Sequence, residues 1–210
     1  MSDRQTGSVW THYDGSVLSG PLLDSGAKLT IAPLFLTSWE EWQTLHPDTL
    51  VLDWYPEHAA SYERMASRFG RAGLGSQFQE SLLNFDERLP INELVLGVNV
   101  TNVYRAYPLS DSPSLSVIED SLNGVPIVIF MDGENQSALA YRAQVDGERR
   151  RFSIANEQIV DDTGTVWEVD GRATQGPLAG TVLEFVTSFI TEWYGWAAYH
   201  PETSIYGRDS

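Results

Sequence analysis

The sequence predicts an α+β protein, mainly β, made of internally duplicated hairpin–strand–short helix units packed together. The first observation behind this is an ordered repeat. Thr6-Gly7-Ser8-Val9-Trp10, Gly20-Pro21-Leu22 and Trp39-x-x-Trp42-x-x-x-His46-Pro47-Asp48-Thr49 stand near the N-terminus. Thr163-Gly164-Thr165-Val166-Trp167, Gly176-Pro177-Leu178 and Trp193-x-x-Trp196-x-x-x-His200-Pro201-Glu202-Thr203 stand near the C-terminus. Six of the seven tryptophans fall into matched pairs, and so rare a residue does not repeat in order by chance. The second observation is an Asp-Gly pair in each copy, Asp14-Gly15 and Asp170-Gly171, which supplies the positive-φ geometry of a tight hairpin turn. The third is a series of apolar β-forming runs in the middle of the chain.

Taken in order, Ser8–Thr11 and Val17-Leu18 form the first hairpin around Asp14-Gly15, and Leu29–Ala32 follows as an extended run. Ser38 caps a short helix, with Glu41 three residues on completing a capping box. Trp39, Trp42 and His46 share one face of it, and Pro47 ends it. Pro56 to Phe69 reads as a second helix, with Ala59, Tyr62, Ala66 and Phe69 on one face and Gly70 as its stop. Gly70 to Pro90 is polar and glycine-bearing, a connecting loop. Strands follow at Leu94–Val98, Tyr104–Leu109, Pro126–Phe130, Ala138–Val145 and Arg151–Ile154. Thr165–Glu168 then opens the second hairpin, Leu183–Val186 is the extended run, and Thr191 is a weaker cap for a helix whose Gly195 lowers its propensity.

Composition removes several classes of function. The net charge is -16 and the pI about 4.4, which argues against nucleic acid and anionic membranes as partners. Lys28 is the only lysine beside twelve arginines. A surface so acidic and lysine-poor suits a protein kept soluble in very high salt, where self-repulsion is screened. There is no cysteine, so no disulfide or thiolate chemistry is available. No run of about 18 apolar residues and no secretory signal occurs, so neither membrane insertion nor export is expected, and a cytoplasmic location follows by default. Asn99-Val100-Thr101 and Asn135-Gln136-Ser137 match the glycosylation sequon without that context.

No established catalytic motif is present. Ser8 lacks a nucleophile elbow, and Gly70–Gly75 lacks the strand and helix of a phosphate loop. His46 and His200 are symmetric, but a zinc site needs three or four converging ligands, so no metal and no cofactor is expected. A helix-end histidine serves instead to cap carbonyls. Asp3, Asp161 and Asp162 precede the Thr-Gly turns, where Asx-type hydrogen bonding explains them more cheaply than an acidic pair. Arg149-Arg150-Arg151 reads as a solvated strand end. The paired tryptophans read first as a helix face laid on a sheet.

Together, Thr6–Trp10, Gly20-Pro21-Leu22, Arg105-Ala106-Tyr107-Pro108-Leu109 and Trp193-Tyr194-Gly195-Trp196 with His200–Thr203 resemble the domain-of-unknown-function 3179 family, found in bacteria and frequent in haloarchaea. Arg88-Leu89-Pro90, Val95–Val98 and Pro126-Ile127-Val128 extend the likeness along nearly the whole chain. Members of that family are typically longer and carry an earlier half with a Cys-Pro-Leu motif. The resemblance therefore implies that residues 1–55 are the C-terminal part of a first repeat unit. Residues 56–90 are then a helical and loop connector, and 91–210 a second, complete unit. It implies no activity.

The function expected is a non-enzymatic module that binds a small molecule or protein where the units meet, since concave junctions are favoured ligand sites. Trp10, Trp39, Trp167 and Trp193 would line it, with Arg105 and Tyr107 supplying polar contacts. Such a module needs an open pocket and at least one partly exposed matched tryptophan. The alternatives are a hydrolase using paired carboxylates, which needs them converging in a cleft with perturbed pKa values, or a degenerate fragment of a longer protein.

Overall fold

The computed structural model describes residues 1–66, 78, 80, 82, 84–112 and 114–208. The order begins with the hairpin β1 (Val9–Trp10) and β2 (Val17–Ser19), then helix α1 (Trp39–Leu45). A 3-10 turn over Pro56–His58 leads into α2 (Ala59–Ala66). The central strands are β3 (Leu94–Val100), β4 (Val103–Pro108), β5 (Leu115–Leu122), β6 (Val125–Asp132) and β7 (Ser137–Arg142). The short β8 (Gln144–Val145) and β9 (Glu148–Arg149) precede β10 (Phe152–Ala155), β11 (Gln158–Asp161), β12 (Val166–Trp167) and β13 (Ala173–Gln175). The chain closes with β14 (Phe185–Val186), β15 (Ser188–Glu192), α3 (Trp193–Tyr199) and β16 (Ser204–Ile205). This is an α+β fold, mainly β.

Three four-stranded sheets stack. Their strand orders are β15-β3-β4-β16, β14-β7-β6-β5 and β10-β11-β12-β13, antiparallel except for β16 beside β4. The period-2 alternation of strands explains the stacking. On β3, Leu96, Val98 and Val100 meet Ile127, Ile129 and Met131 of β6 in one core. The opposite face of β6, Val128 and Phe130, packs with Phe152, Ile159 and Trp167 of the third sheet. The opposite face of β3 presents Val95 to Trp193, Trp196 and Ala197 of α3. Gly97 is what lets α3 settle there, because the Trp196 ring occupies the place a Cβ on Gly97 would take.

Several expectations are met closely. Ser38 Oγ accepts the Glu41 N–H at 3.2 Å and caps α1. Both hairpins turn where Asp-Gly was placed, with Gly15 and Gly171 at φ of 73° and 80°. Others differ. The cap of α3 falls on Glu192, the last residue of β15, with no side-chain hydrogen bond, while Thr191 one residue earlier pairs with Val95. Phe185 and Val186 pair with Tyr141 and Ala140 of β7, whereas Leu29–Ala32 runs extended without a strand partner among the described residues. The second helix is a 3-10 turn followed by α2, and its expected end at Phe69 and Gly70 lies outside the described residues, as does Gly70–Gly75. The strand β5 was not anticipated, because Glu119, Asp120 and Ser121 break its apolar pattern.

Among the described residues, no helix is long and apolar enough to cross a membrane.

Candidate functional site

The matched motifs form matched hydrogen-bond knots. Asp3 accepts from the Thr6 backbone N–H and hydroxyl, at 2.6 and 2.7 Å, and from the Trp10 indole at 2.8 Å. Asp161 accepts likewise from the Thr163 N–H and hydroxyl, at 2.8 and 2.6 Å, and from the Trp167 indole at 3.1 Å. The Ser8 hydroxyl receives the Leu22 N–H at 3.3 Å, and the Thr165 hydroxyl receives that of Leu178 at 3.2 Å. Each carboxylate is consumed by its own turn and its own tryptophan. Hydrogen bonds from the Thr6 backbone and then Trp10 hold the Asp3 carboxyl far below the usual range.

The helix ends match as well. His46 and His200 occupy the C-caps with nearly equal backbone angles, φ -133° and ψ 67° against φ -129° and ψ 69°. In each, the tryptophan four residues earlier reaches past the cap. Trp42 donates its indole N–H to Thr49 Oγ1 and Trp196 to Thr203 Oγ1, both at 2.9 Å. The Trp-x-x-x-His-Pro-x-Thr spacing is therefore a capping device, in which the threonine was quoted in the sequence but given no role.

Two cavities arise where the ends of the chain exchange partners. One, of about 250 Å³, lies between the β1–β2 hairpin and the end of α3, with Tyr104 of β4 as its floor. The hairpin contributes Thr11, Tyr13, Asp14, Ser16 and Leu18, and α3 with its cap contributes Tyr199, His200, Pro201 and Glu202. The other, of about 240 Å³, lies between the β12–β13 hairpin and the end of α1. Here Glu168, Val169, Asp170, Arg172 and Thr174 face Glu41, Leu45 and His46, with Phe35, Asp132 and Ser137 completing the wall. Asp14 and Asp170 hold the same turn position, and His46 and His200 the same cap. Each hairpin thus meets the helix of the opposite end.

The first cavity is walled by stacked ring pairs. Tyr13 stacks on Tyr199 at 4.1 Å between centroids, and Tyr104 stacks on His200 at 3.9 Å. The closeness of hairpin and helix depends on Gly195, since a Cβ there would run into the Tyr13 hydroxyl. That is the compensation for its poor helix propensity. His200 is 8% exposed, and burial lowers its pKa while the Asp14 carboxylate works in the opposite sense. Burial pushes Asp14 up, but hydrogen bonds from Ser16, with Lys28 and His200 nearby, hold it below the ordinary value. In the second cavity, burial and then the carboxylates of Asp170 and Glu41 raise the pKa of Glu168.

A family model described as protein of unknown function (DUF3179) matches residues 1–203. The chain belongs to the DUF3179 family. No curated protein and no solved structure matches it.

The six residues expected to bind are spread through this DUF3179 fold. Trp167 and Trp193 are buried in two different cores. Trp10 is buried too, and lines a cavity of about 270 Å³ with Met1, Asp3 and Leu22. Trp39 is 51% exposed on α1. Arg105 and Tyr107 converge on Asp120 Oδ2, at 2.6 and 2.7 Å, and Arg105 Nε donates to Ser204 Oγ at 2.9 Å. Burial, then Asp120, pushes the Tyr107 phenol far above its ordinary pKa, as suits a structural tie between two sheets. The residues that do converge are Tyr13, Asp14, Tyr104, Tyr199 and His200. His200 and Asp14 carried sequence signals, as a helix-end residue and a turn residue, but their convergence did not, because the meeting of hairpin and helix is a tertiary event. No group of three or more His, Cys, Asp or Glu suited to a metal occurs among the described residues.

Proposed function

We propose that the protein is a non-enzymatic binding module whose ligand site is the cavity between the β1–β2 hairpin and α3. The observation that carries this reading is the convergence of four rings, Tyr13, Tyr104, Tyr199 and His200, with two carboxylates, Asp14 and Glu202, around one cavity of about 250 Å³. An aromatic-walled concavity with a few fixed polar groups is the usual form of a small-molecule site. The organisation that builds it is a duplication, with 1–55 the latter part of one unit, 56–90 a connector and 91–210 a complete unit. The matched knots and caps support that division. The protein works in high salt, where a charge of -16 is screened.

A thermal-shift screen of metabolites in molar potassium chloride tests the reading, because a ligand specific to the folded state raises Tm by mass action. At least one compound shifts Tm, and the Tyr199→Leu variant loses that shift. If no compound moves Tm, the module has no small-molecule ligand.

A second reading, a hydrolase using paired carboxylates, has one observation in its favour: Glu168 sits beside Asp170 and Glu41 with a raised pKa, as a general acid requires. Hydrolysis of an ester or glycoside panel that is lost in Glu168→Gln would support it, and an inactive wild-type chain would remove it.

A further inference from the structure

We propose that the cavity between the hairpin and α3 selects a small organic ammonium ion, a quaternary amine of choline size. This rests on the reading of that cavity as a ligand site. Tyr13, Tyr104 and Tyr199 line the cavity, and stacking covers one face of each, Tyr13 against Tyr199 and Tyr104 against His200. The negative quadrupole of such rings attracts a cation most strongly when the cation carries a loosely held hydration shell. Alkylated ammonium ions meet that condition. Asp14 and Glu202 supply the charge, and no lysine or arginine lines the cavity.

The details of the carboxylates fit the same class. Both hydrogen bonds to Asp14 fall on Oδ1, from the Ser16 N–H at 3.0 Å and its hydroxyl at 2.8 Å. Oδ2 accepts no hydrogen bond among the described residues. Hydrogen bonding keeps Asp14 ionised at neutral pH, and burial keeps His200 from becoming a competing cation. An anion would face two carboxylates in a strongly negative protein. A hard metal ion needs more oxygen ligands than two carboxylates and their neighbours offer.

Calorimetric titration of the full chain tests this with choline and with 3,3-dimethylbutan-1-ol, which has the same shape without the charge. Choline binds roughly tenfold or more tightly than the alcohol, and Asp14→Asn and Glu202→Gln each weaken choline several-fold. Asp14→Asn keeps the Oδ1 acceptor of the turn, and Glu202 is exposed, so at least one variant keeps the fold. Equal binding of the two compounds overturns the ammonium inference while leaving the cavity a ligand site. Binding of choline unchanged in both variants places it elsewhere and overturns the inference too. If choline fails but another compound from the thermal screen binds and is lost in Tyr199→Leu, the inference falls and the binding module stands. If nothing binds, both fall.

Discussion

Asp161 shows how much one buried side chain does here. Its carboxylate joins a turn to the Trp167 indole with four hydrogen bonds, two of them from backbone N–H groups. Asp161→Ala leaves the Thr165 N–H and the Trp167 indole buried and unpaired, so urea denaturation is expected to show a loss of about 1–3 kcal/mol. His200 acts through burial. Its folded pKa lies below the ordinary 6.5, so the unfolded chain binds the extra proton first as pH falls. Stability contributed by neutral His200 is therefore present above pH 6.5 and declines as pH drops toward the folded value. In His200→Phe, Tm measured between pH 7.5 and 5.5 changes less than in the wild type.

The two tryptophan-bearing helices show how context decides the worth of the same motif. Trp193 is fully buried, donates its indole N–H to the Asp86 carbonyl at 3.0 Å and lies under the Arg88 guanidinium. Trp39 holds the matching position on α1 and is half exposed. Trp193→Ala is expected to cost about 3–5 kcal/mol in denaturant unfolding, and Trp39→Ala less than about 1 kcal/mol. Gly195 carries a second prediction for α3. In an exposed helix, Gly→Ala stabilises by about 1 kcal/mol. At Gly195 the methyl meets the Tyr13 hydroxyl, so Gly195→Ala lowers Tm and separates the hairpin from the helix.

At the scale of the molecule, the mainly-β fold was legible because strand and turn signals are local. Leu94–Val98 is a short apolar, β-forming run of strand length, and Asp14-Gly15 and Asp170-Gly171 mark their turns without outside help. The helix cap at Ser38 is equally local. Tertiary pairing was not legible. Nothing in Leu29–Ala32 distinguishes it from Leu183–Val186, yet only the latter run supplies a strand, β14, which lies against β7. Nothing around Arg105 or Tyr107 announces Asp120, which lies on a strand whose polar residues hid it. The cavity was missed for the same reason, since its walls come from residues 11–18, 104 and 199–202. Sequence repetition pointed to equivalent tryptophans as the lining. Of the four expected there, Trp10, Trp167 and Trp193 donate their indoles to Asp3, Asp161 and the Asp86 carbonyl, and Trp39 stays half exposed on α1. Tyr13, Tyr104 and Tyr199 line the open space instead.

The central claim is that the N-terminal hairpin seats on the C-terminal helix and so creates the cavity. Aromatic proton NOEs in the assigned protein test it most directly. Cross-peaks linking the Tyr13 ring to Tyr199, with the Tyr104 ring stacked on His200, are the predicted result. A Tyr13 ring that shows no contact with α3 would contradict the account.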